Sequence, residues 1–246
     1  MAERVTILGV SIDPVTFEEM IDTIAMWITQ RDRVYQICTV SPEFVMIAQD
    51  NADFMRVLQE SDLCVADGVG LLFAARYLRK QLPERVTGSD GVPLIAQRAA
   101  REGWTIFLLG AAPGVAEKAA NQLMIQYPGL KIVGTYAGSP APEEEVAIVE
   151  RVNTSGADIL MVAYGAPRQD LWIKRNHERL NVRVAIGVGG TFDFIAGVVP
   201  RAPLWMRRWA LEWLYRLYKQ PWRWRRMLRL PRFVWAVMRY RENTVP

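Results

Sequence analysis

Asp67 follows the apolar run Leu63-Cys-Val-Ala66 and heads the turn Asp67-Gly-Val-Gly70. A carboxylate at a strand end, with glycines beside it that let a substrate come close, is placed to accept a proton from a hydroxyl. Asp and Gly are also ordinary turn residues, so the run alone fits a turn without chemistry as well. Asp90 and Asp193 are rival carboxylates: the first can cap a helix after Ser89, and the second lies among Phe192, Phe194 and Ile195. A second run, Gly110-Ala-Ala-Pro-Gly114, separates an apolar segment from a helical one. Backbone N–H groups and a helix dipole at such a junction can receive phosphate oxygens, although a tight turn without a ligand has the same glycines. The run is not G-x-G-x-x-G and the chain has no Walker lysine, which argues against a standard dinucleotide or P-loop site.

These residues need a scaffold, and the intervening sequence supplies one. Strands are predicted over Val5–Val10, Val34–Thr39, Leu63–Val65, Thr105–Leu109, Lys131–Thr135, Ile159–Ala163 and Val184–Val188. Helices are predicted over Thr16–Thr29, Pro42–Gln49, Ala52–Glu60, Gly68–Arg79, Gly91–Arg101, Val115–Tyr127, Pro142–Asn153 and Pro167–Leu180. The strands are continuous apolar runs, as expected when helices cover both faces of a sheet. The order implies an α/β fold, a Rossmann-like, mostly parallel sheet covered by helices. Ligands in such folds bind beyond the carboxyl ends of the strands. Five segments follow those ends: 39–43, 66–70, 110–114, 164–170 and 187–193.

Composition narrows the chemistry. The chain has two cysteines, Cys38 and Cys64, both inside strand-like runs, and one histidine, His177. Buried thiols are expected, with no disulfide, metal site or His-centred triad. No Asp-x-Asp pair is present to hold a divalent ion on a diphosphate, so no metal and no cofactor are expected. A nucleotide diphosphate would then rely on helix termini and arginines. The N-terminus lacks the n-region and apolar h-region of a signal peptide, which predicts a cytoplasmic protein, and no segment has the length and apolarity of a spanning helix.

The arginines are concentrated at the C-terminus. Residues 201–246 carry twelve of the thirty Lys and Arg, six of the nine Trp, and only Glu212 and Glu242 as acids. The chain therefore divides into an α/β domain, 1–200, of charge −6 and a basic, Trp-rich, amphipathic helical appendage, 201–246, of charge +10. Such a charge contrast points to a polyanionic partner. Trp205, Trp209, Trp213 and Leu217 recur every four positions, a stripe that suits a helix packed on the body. Beyond Pro221, basic residues alternate with Trp and Leu as in interfacial helices. Trp222, Trp224, Arg225, Arg229, Arg232 and Trp235 are the expected contacts with an anionic membrane surface.

The runs Ala66-Asp-Gly-Val-Gly-Leu71, Glu84-Arg-Val-Thr-Gly-Ser-Asp90, Phe107-Leu-Leu-Gly-Ala-Ala-Pro-Gly114, Gly165-Ala-Pro-Arg-Gln-Asp170 and Val188-Gly-Gly-Thr-Phe-Asp-Phe-Ile-Ala-Gly197 occur in that order. With Arg201-Ala-Pro203, Leu211-Glu-Trp-Leu-Tyr-Arg216 and the spaced Pro221, Arg223 and Arg226, they resemble the WecG/TagA/CpsF glycosyltransferase family, glycosyltransferase family 26. The resemblance implies an inverting, metal-independent transferase, peripheral on the inner face of the cell membrane. It would move an N-acetylmannosamine-type sugar from a UDP-sugar donor to GlcNAc on an undecaprenyl-diphosphate-linked acceptor, in synthesis of teichoic acid, common antigen or a similar surface polysaccharide. By motif, it makes Asp67 the general base, puts Thr39 beside it, sets Gln169 against the donor sugar, and assigns Arg85, Arg216, Arg223 and Arg226 to anionic substrate groups.

Two departures from the family pattern stand out. Thr39-Val-Ser41 replaces Thr-x-Asn, which exchanges an amide for a hydroxyl at Ser41 and puts the donor sugar or its orientation in question. Arg168-Gln-Asp170 replaces Lys-Gln-Glu, which keeps the charges and shortens the acid. A nucleic-acid-binding protein would use the basic, Trp-rich tail but leaves the five loops unexplained, so no nucleic acid is expected as partner. A nucleotide- or dinucleotide-binding protein without transferase activity explains the loops but not the tail. The sequence leaves homo-oligomerisation open.

Overall fold

The computed structural model describes residues 3–30, 32–203, 206, 212–219 and 224–245; for 212, 213, 216, 219, 225 and 226 it describes the backbone alone. Among the described residues, six strands form one parallel sheet: β3 (Tyr35–Val40), β4 (Leu63–Ala66), β5 (Thr105–Gly110), β6 (Lys131–Tyr136), β7 (Ile159–Ala163) and β8 (Val184–Gly187), in the order β4-β3-β8-β7-β5-β6. The N-terminal segment differs from the single strand expected. It is an antiparallel hairpin of β1 (Val5–Ile7) and β2 (Val10–Ile12), outside the main sheet. Leu8 and Gly9 both take positive φ, 51° and 78°, the geometry a two-residue hairpin turn requires.

Helices cover both faces of the sheet. They are α1 (Phe17–Gln30), α2 (Pro42–Gln49), α3 (Ala52–Glu60), α4 (Val69–Tyr77), α5 (Gly88–Glu102), α6 (Val115–Gln126), α7 (Pro142–Thr154), α8 (Arg168–Asn176) and the short α9 (Thr191–Ile195). Alternate strand residues explain the unbroken apolar runs. Ile37, Val65, Ile106, Met161 and Ile186 join the core under α1, α5 and α6. Cys38, Val40, Cys64 and Ala66 point the other way, into a core shared with α2, α3 and α4, while Leu109, Leu160 and Val162 pack under α7 and α8. Each face thus removes a large apolar area from water, which is the main driving force for this layering.

The tail contributes α10 (Glu212–Lys219), α11 (Trp224–Met227) and α12 (Arg229–Tyr240). Phe233, Ala236 and Val237 of α12 are buried in the core that also holds Val5, Phe44 and Leu71. Beyond α12, Leu8 and Gly9 donate their N–H groups to the carbonyls of Arg241 and Glu242. The segment from Arg229 to Val245 is therefore packed into the same core as the hairpin, so contacts of the body do not stop at residue 200. No described helix is long and apolar enough to cross a membrane.

Candidate active site

The strand order places β3 between β4 and β8, and the chain leaves β3 for β4 on one side before returning to the other. A crevice opens at the carboxyl ends where such a sheet reverses direction. Thr39 and Val40 lie in register with Val65 and Ala66, so the Thr39–Ser41 loop and the Asp67 turn are neighbours by strand pairing. Asp67 donates its N–H to the Val40 carbonyl at 2.6 Å. Val86 then donates to the Ala66 carbonyl, which brings the Arg85 loop alongside.

The glycines around Asp67 are required by packing. A Cβ at Gly68 would lie 3.1 Å from Pro42, and one at Gly70 would lie 2.8 Å from it; Gly68 also has φ 136°. The Asp67 turn is thereby pressed onto the first turn of α2. Asp67 Oδ2 accepts from the Gly88 N–H at 3.3 Å, at the start of α5. A carboxylate beside a helix N-terminus sits in the favourable end of the helix dipole.

Around that helix start, Thr87 caps α5 by accepting from the Asp90 N–H and donates its own hydroxyl to Asp90 Oδ2 at 2.8 Å. Arg201 donates to Asp90 Oδ1 at 2.6 Å and to the Ser89 hydroxyl at 3.0 Å. Burial opposes ionisation of Asp90, but the bonds from Arg201 and Thr87 and the charges of Arg201 and Arg85 outweigh it and hold its carboxyl below the ordinary value. Asp90 is thus held by Thr87 and Arg201 at the start of α5. Gly88 and Arg201 are the participants that motif reading missed as contacts. The Thr87-Gly-Ser-Asp90 capping pattern was the available signal for the first.

Thr39 is buried and donates its hydroxyl to the Gly187 carbonyl at 2.9 Å, so it ties β3 to β8 beneath the crevice. Ser41 is the N-cap of α2, its hydroxyl accepting from the Phe44 N–H. Serine and asparagine are comparable N-caps, so the exchange at this position keeps the helix start. Gly110 ends β5 with φ 100°, and a Cβ there would lie 2.8 Å from the Ala163 backbone; only glycine lets the chain approach β7 so closely. The exposed Gly114, φ 80°, caps α6.

Gln169 lies at the start of α8. It is fully buried, and its carbonyl oxygen accepts from the N–H groups of Gly165 at 3.1 Å and Gly189 at 3.0 Å. It fastens the loops after β7 and β8 to each other. Beside it, Asp170 is also fully buried, and among the described residues neither carboxylate oxygen has a partner at hydrogen-bond geometry. Burial drives its pKa from 3.8 up to about 7, a rise that the nearby Cys38 thiol and Gln169 amide only moderate. A Cβ on Gly187 would collide with both Gln169 and Asp170, at 2.4 and 2.6 Å, which explains glycine at that strand position.

The tail reaches this site from two sides. Arg201, at its base, holds the first turn of α5, and α12 lies on α2, where Phe233 approaches Gly70. Arg229 pairs with Glu43 at 3.0 Å and Arg232 with Asp50 at 2.8 Å. Both arginines thus bind carboxylates of α2, because docking α12 brings those charges together. Trp224 and Trp235 are half exposed. Arg223 and Trp222, and the side chains of Arg216, Arg225 and Arg226, lie outside the described residues. Among the described residues, no three His, Cys, Asp or Glu gather into a group that could hold a metal.

The family model described as Glycosyl transferase WecG/TagA/CpsF family matches residues 5–245 of this chain. Two similar proteins, from Bacillus subtilis (strain 168) and Bacillus spizizenii (strain ATCC 23059 / NRRL B-14472 / W23), are both named N-acetylglucosaminyldiphosphoundecaprenol N-acetyl-beta-D-mannosaminyltransferase. The first is 33% identical over 207 residues, 84% of this chain and 80% of the relative. The second is 34% identical over 204 residues, 83% of this chain and 79% of the relative.

Proposed function

The chain belongs to the WecG/TagA/CpsF family of glycosyltransferases, and from that premise we propose that it transfers N-acetylmannosamine from a UDP-sugar to GlcNAc on an undecaprenyl-diphosphate-linked acceptor. The observation that carries the assignment of the chemistry is Asp67, held between the β4 end and the Gly88 N–H in a turn whose glycines pack on Pro42 of α2. Asp67 accepts the proton of the acceptor hydroxyl as that oxygen bonds to the anomeric carbon and the bond to UDP breaks on the opposite face. One displacement inverts the anomeric centre and needs no second carboxylate near the first.

The departing diphosphate requires positive charge, which a planar arginine fork supplies. Arg85, beside the Asp67 turn, and Arg216, Arg223 and Arg226 of the tail are the proposed donors. The two attachments of the tail, Arg201 on α5 and α12 on α2, bracket the crevice and support this reading. The same tail rests on the cytoplasmic leaflet through Trp224 and Trp235 and through the basic residues near Trp222 and Arg225. Transfer is thereby confined to the surface that carries the acceptor, and solvent is kept from the donor.

Purified protein mixed with UDP-N-acetylmannosamine and a short-chain lipid-diphosphate-GlcNAc should release UDP, with or without EDTA. Release that ignores the acceptor, or that occurs only with a different nucleotide sugar, overturns the assignment.

A further inference from the structure

Helix α4 begins two residues after Asp67 and has two unlike faces. Leu71, Ala74, Ala75 and Leu78 are buried in the core that also receives α12. On the other side Phe73 is 67% exposed and Tyr77 52% exposed. Gly70, Phe73 and Tyr77 follow one another at spacings of three and four, which aligns them along one stripe. The stripe starts where Gly70 meets Pro42 and Phe233, so it runs from the catalytic turn and the docked tail outward.

Charge along this stripe has one sign. Arg76 and Arg79 are exposed and Lys80 is half buried, while no Asp or Glu occurs between Asp67 and Glu84. Two large exposed aromatics spaced among basic side chains, with no acid to oppose them, form the pattern of a surface that enters the boundary of an anionic bilayer. Large exposed apolar side chains side by side mark contact sites. Trp235 and Met238 on α12, a helix that shares its buried core with α4, are half exposed as well. The arginines of α12 share their charge with Glu43 and Asp50, whereas Arg76 and Arg79 have no acid near them in sequence.

We propose that the outer face of α4, Phe73, Arg76 and Tyr77, with Arg79 just beyond the helix end, is a second lipid-contacting element, which sets the Asp67 end of the crevice against an anionic phospholipid bilayer. Phe73 and Tyr77 enter the headgroup and acyl boundary, and the two arginines meet lipid phosphates. The inference rests on the proposed use of a lipid-linked acceptor: a base at the start of α4 then reaches a sugar only a few ångströms above its diphosphate anchor. It names where the protein touches the leaflet, which the tail alone leaves open.

Vesicle flotation of the full chain tests this without donor or acceptor, so its result is independent of whether the chain is a transferase. Wild type should float with phosphatidylcholine vesicles containing phosphatidylglycerol and far less with phosphatidylcholine alone. The double variant Phe73→Ser/Tyr77→Ser should lose about tenfold or more of that partition, and Arg76→Gln/Arg79→Gln should lose about tenfold on the anionic vesicles only. A Tyr77→Cys chain carrying an environment-sensitive fluorophore gives a second readout, since Cys38 and Cys64 are fully buried; its emission should shift to the blue on anionic vesicles. Partition of both double variants within about twofold of wild type, or an unshifted label, overturns the proposal. So does a change of oligomeric state in the variants with unchanged flotation, which would make this face a contact between copies. Flotation as expected with no UDP release would contradict the transferase reading and leave the surface standing.

Discussion

Replacing Asp170 by asparagine tests the structure where it is most demanding, since this acid is fully buried and among the described residues neither of its oxygens has a partner at hydrogen-bond geometry. Burial raises its pKa from 3.8 to about 7. The folded protein therefore keeps a proton that the unfolded chain releases above pH 3.8. Between these two values the folded state binds more protons, so stability falls as pH rises, by about 1.4 kcal/mol per pH unit, and levels off above pH 7. The whole span corresponds to about 4 kcal/mol. Asp90 works in the opposite direction, since its lowered pKa gives stability that is present above the unfolded value and lost on acidification. The difference between wild type and Asp170→Asn isolates the buried acid from such terms. Urea unfolding of both proteins from pH 5 to pH 8 should show wild type losing about 2 to 3 kcal/mol relative to the variant. A difference that stays constant across that range would mean that Asp170 is ionised throughout and paired, which refutes the reasoning.

Two further variants follow from packing. Gln169→Leu leaves the Gly165 and Gly189 N–H groups without their acceptor, at about 1–3 kcal/mol each, and should lower both the midpoint of unfolding and turnover. Phe233→Ala removes a ring from the shared core beside Gly70 and Pro42, and should cost about 3–5 kcal/mol by thermal or chemical unfolding of the full chain, far more than an exposed tail residue would.

Much of this architecture is legible in the residues. The bounds of Pro42–Gln49, Ala52–Glu60 and Ile159–Ala163 follow from periodicity and caps alone, because Ser41, Asn51 and the apolar run fix them locally. The hairpin is harder to read. Its turn uses Leu8 in a left-handed conformation that side chains other than glycine seldom adopt, and the apolar residues on either side look like one strand. The Asp67 turn is visible as a motif, but its bond from Gly88 joins residues twenty-one apart and depends on how α5 meets the sheet. Long-range pairing also hides the ion pairs of the tail: Glu43 lies 186 residues from Arg229, and no local pattern predicts that they meet. Gln169 sits in a motif whose position after β7 suggests exposure. Its burial arises from the glycine at 187, which opens space beneath the loops for the amide.

The central claim is that Asp67 takes the acceptor proton. Its most direct test is single-turnover transfer from UDP-N-acetylmannosamine to lipid-diphosphate-GlcNAc by Asp67→Asn, with donor affinity measured in parallel. Loss of general-base catalysis should slow transfer by about 10²–10⁴-fold with donor binding unchanged. Transfer within about threefold of wild type would contradict the account, since that is well below what a general base contributes.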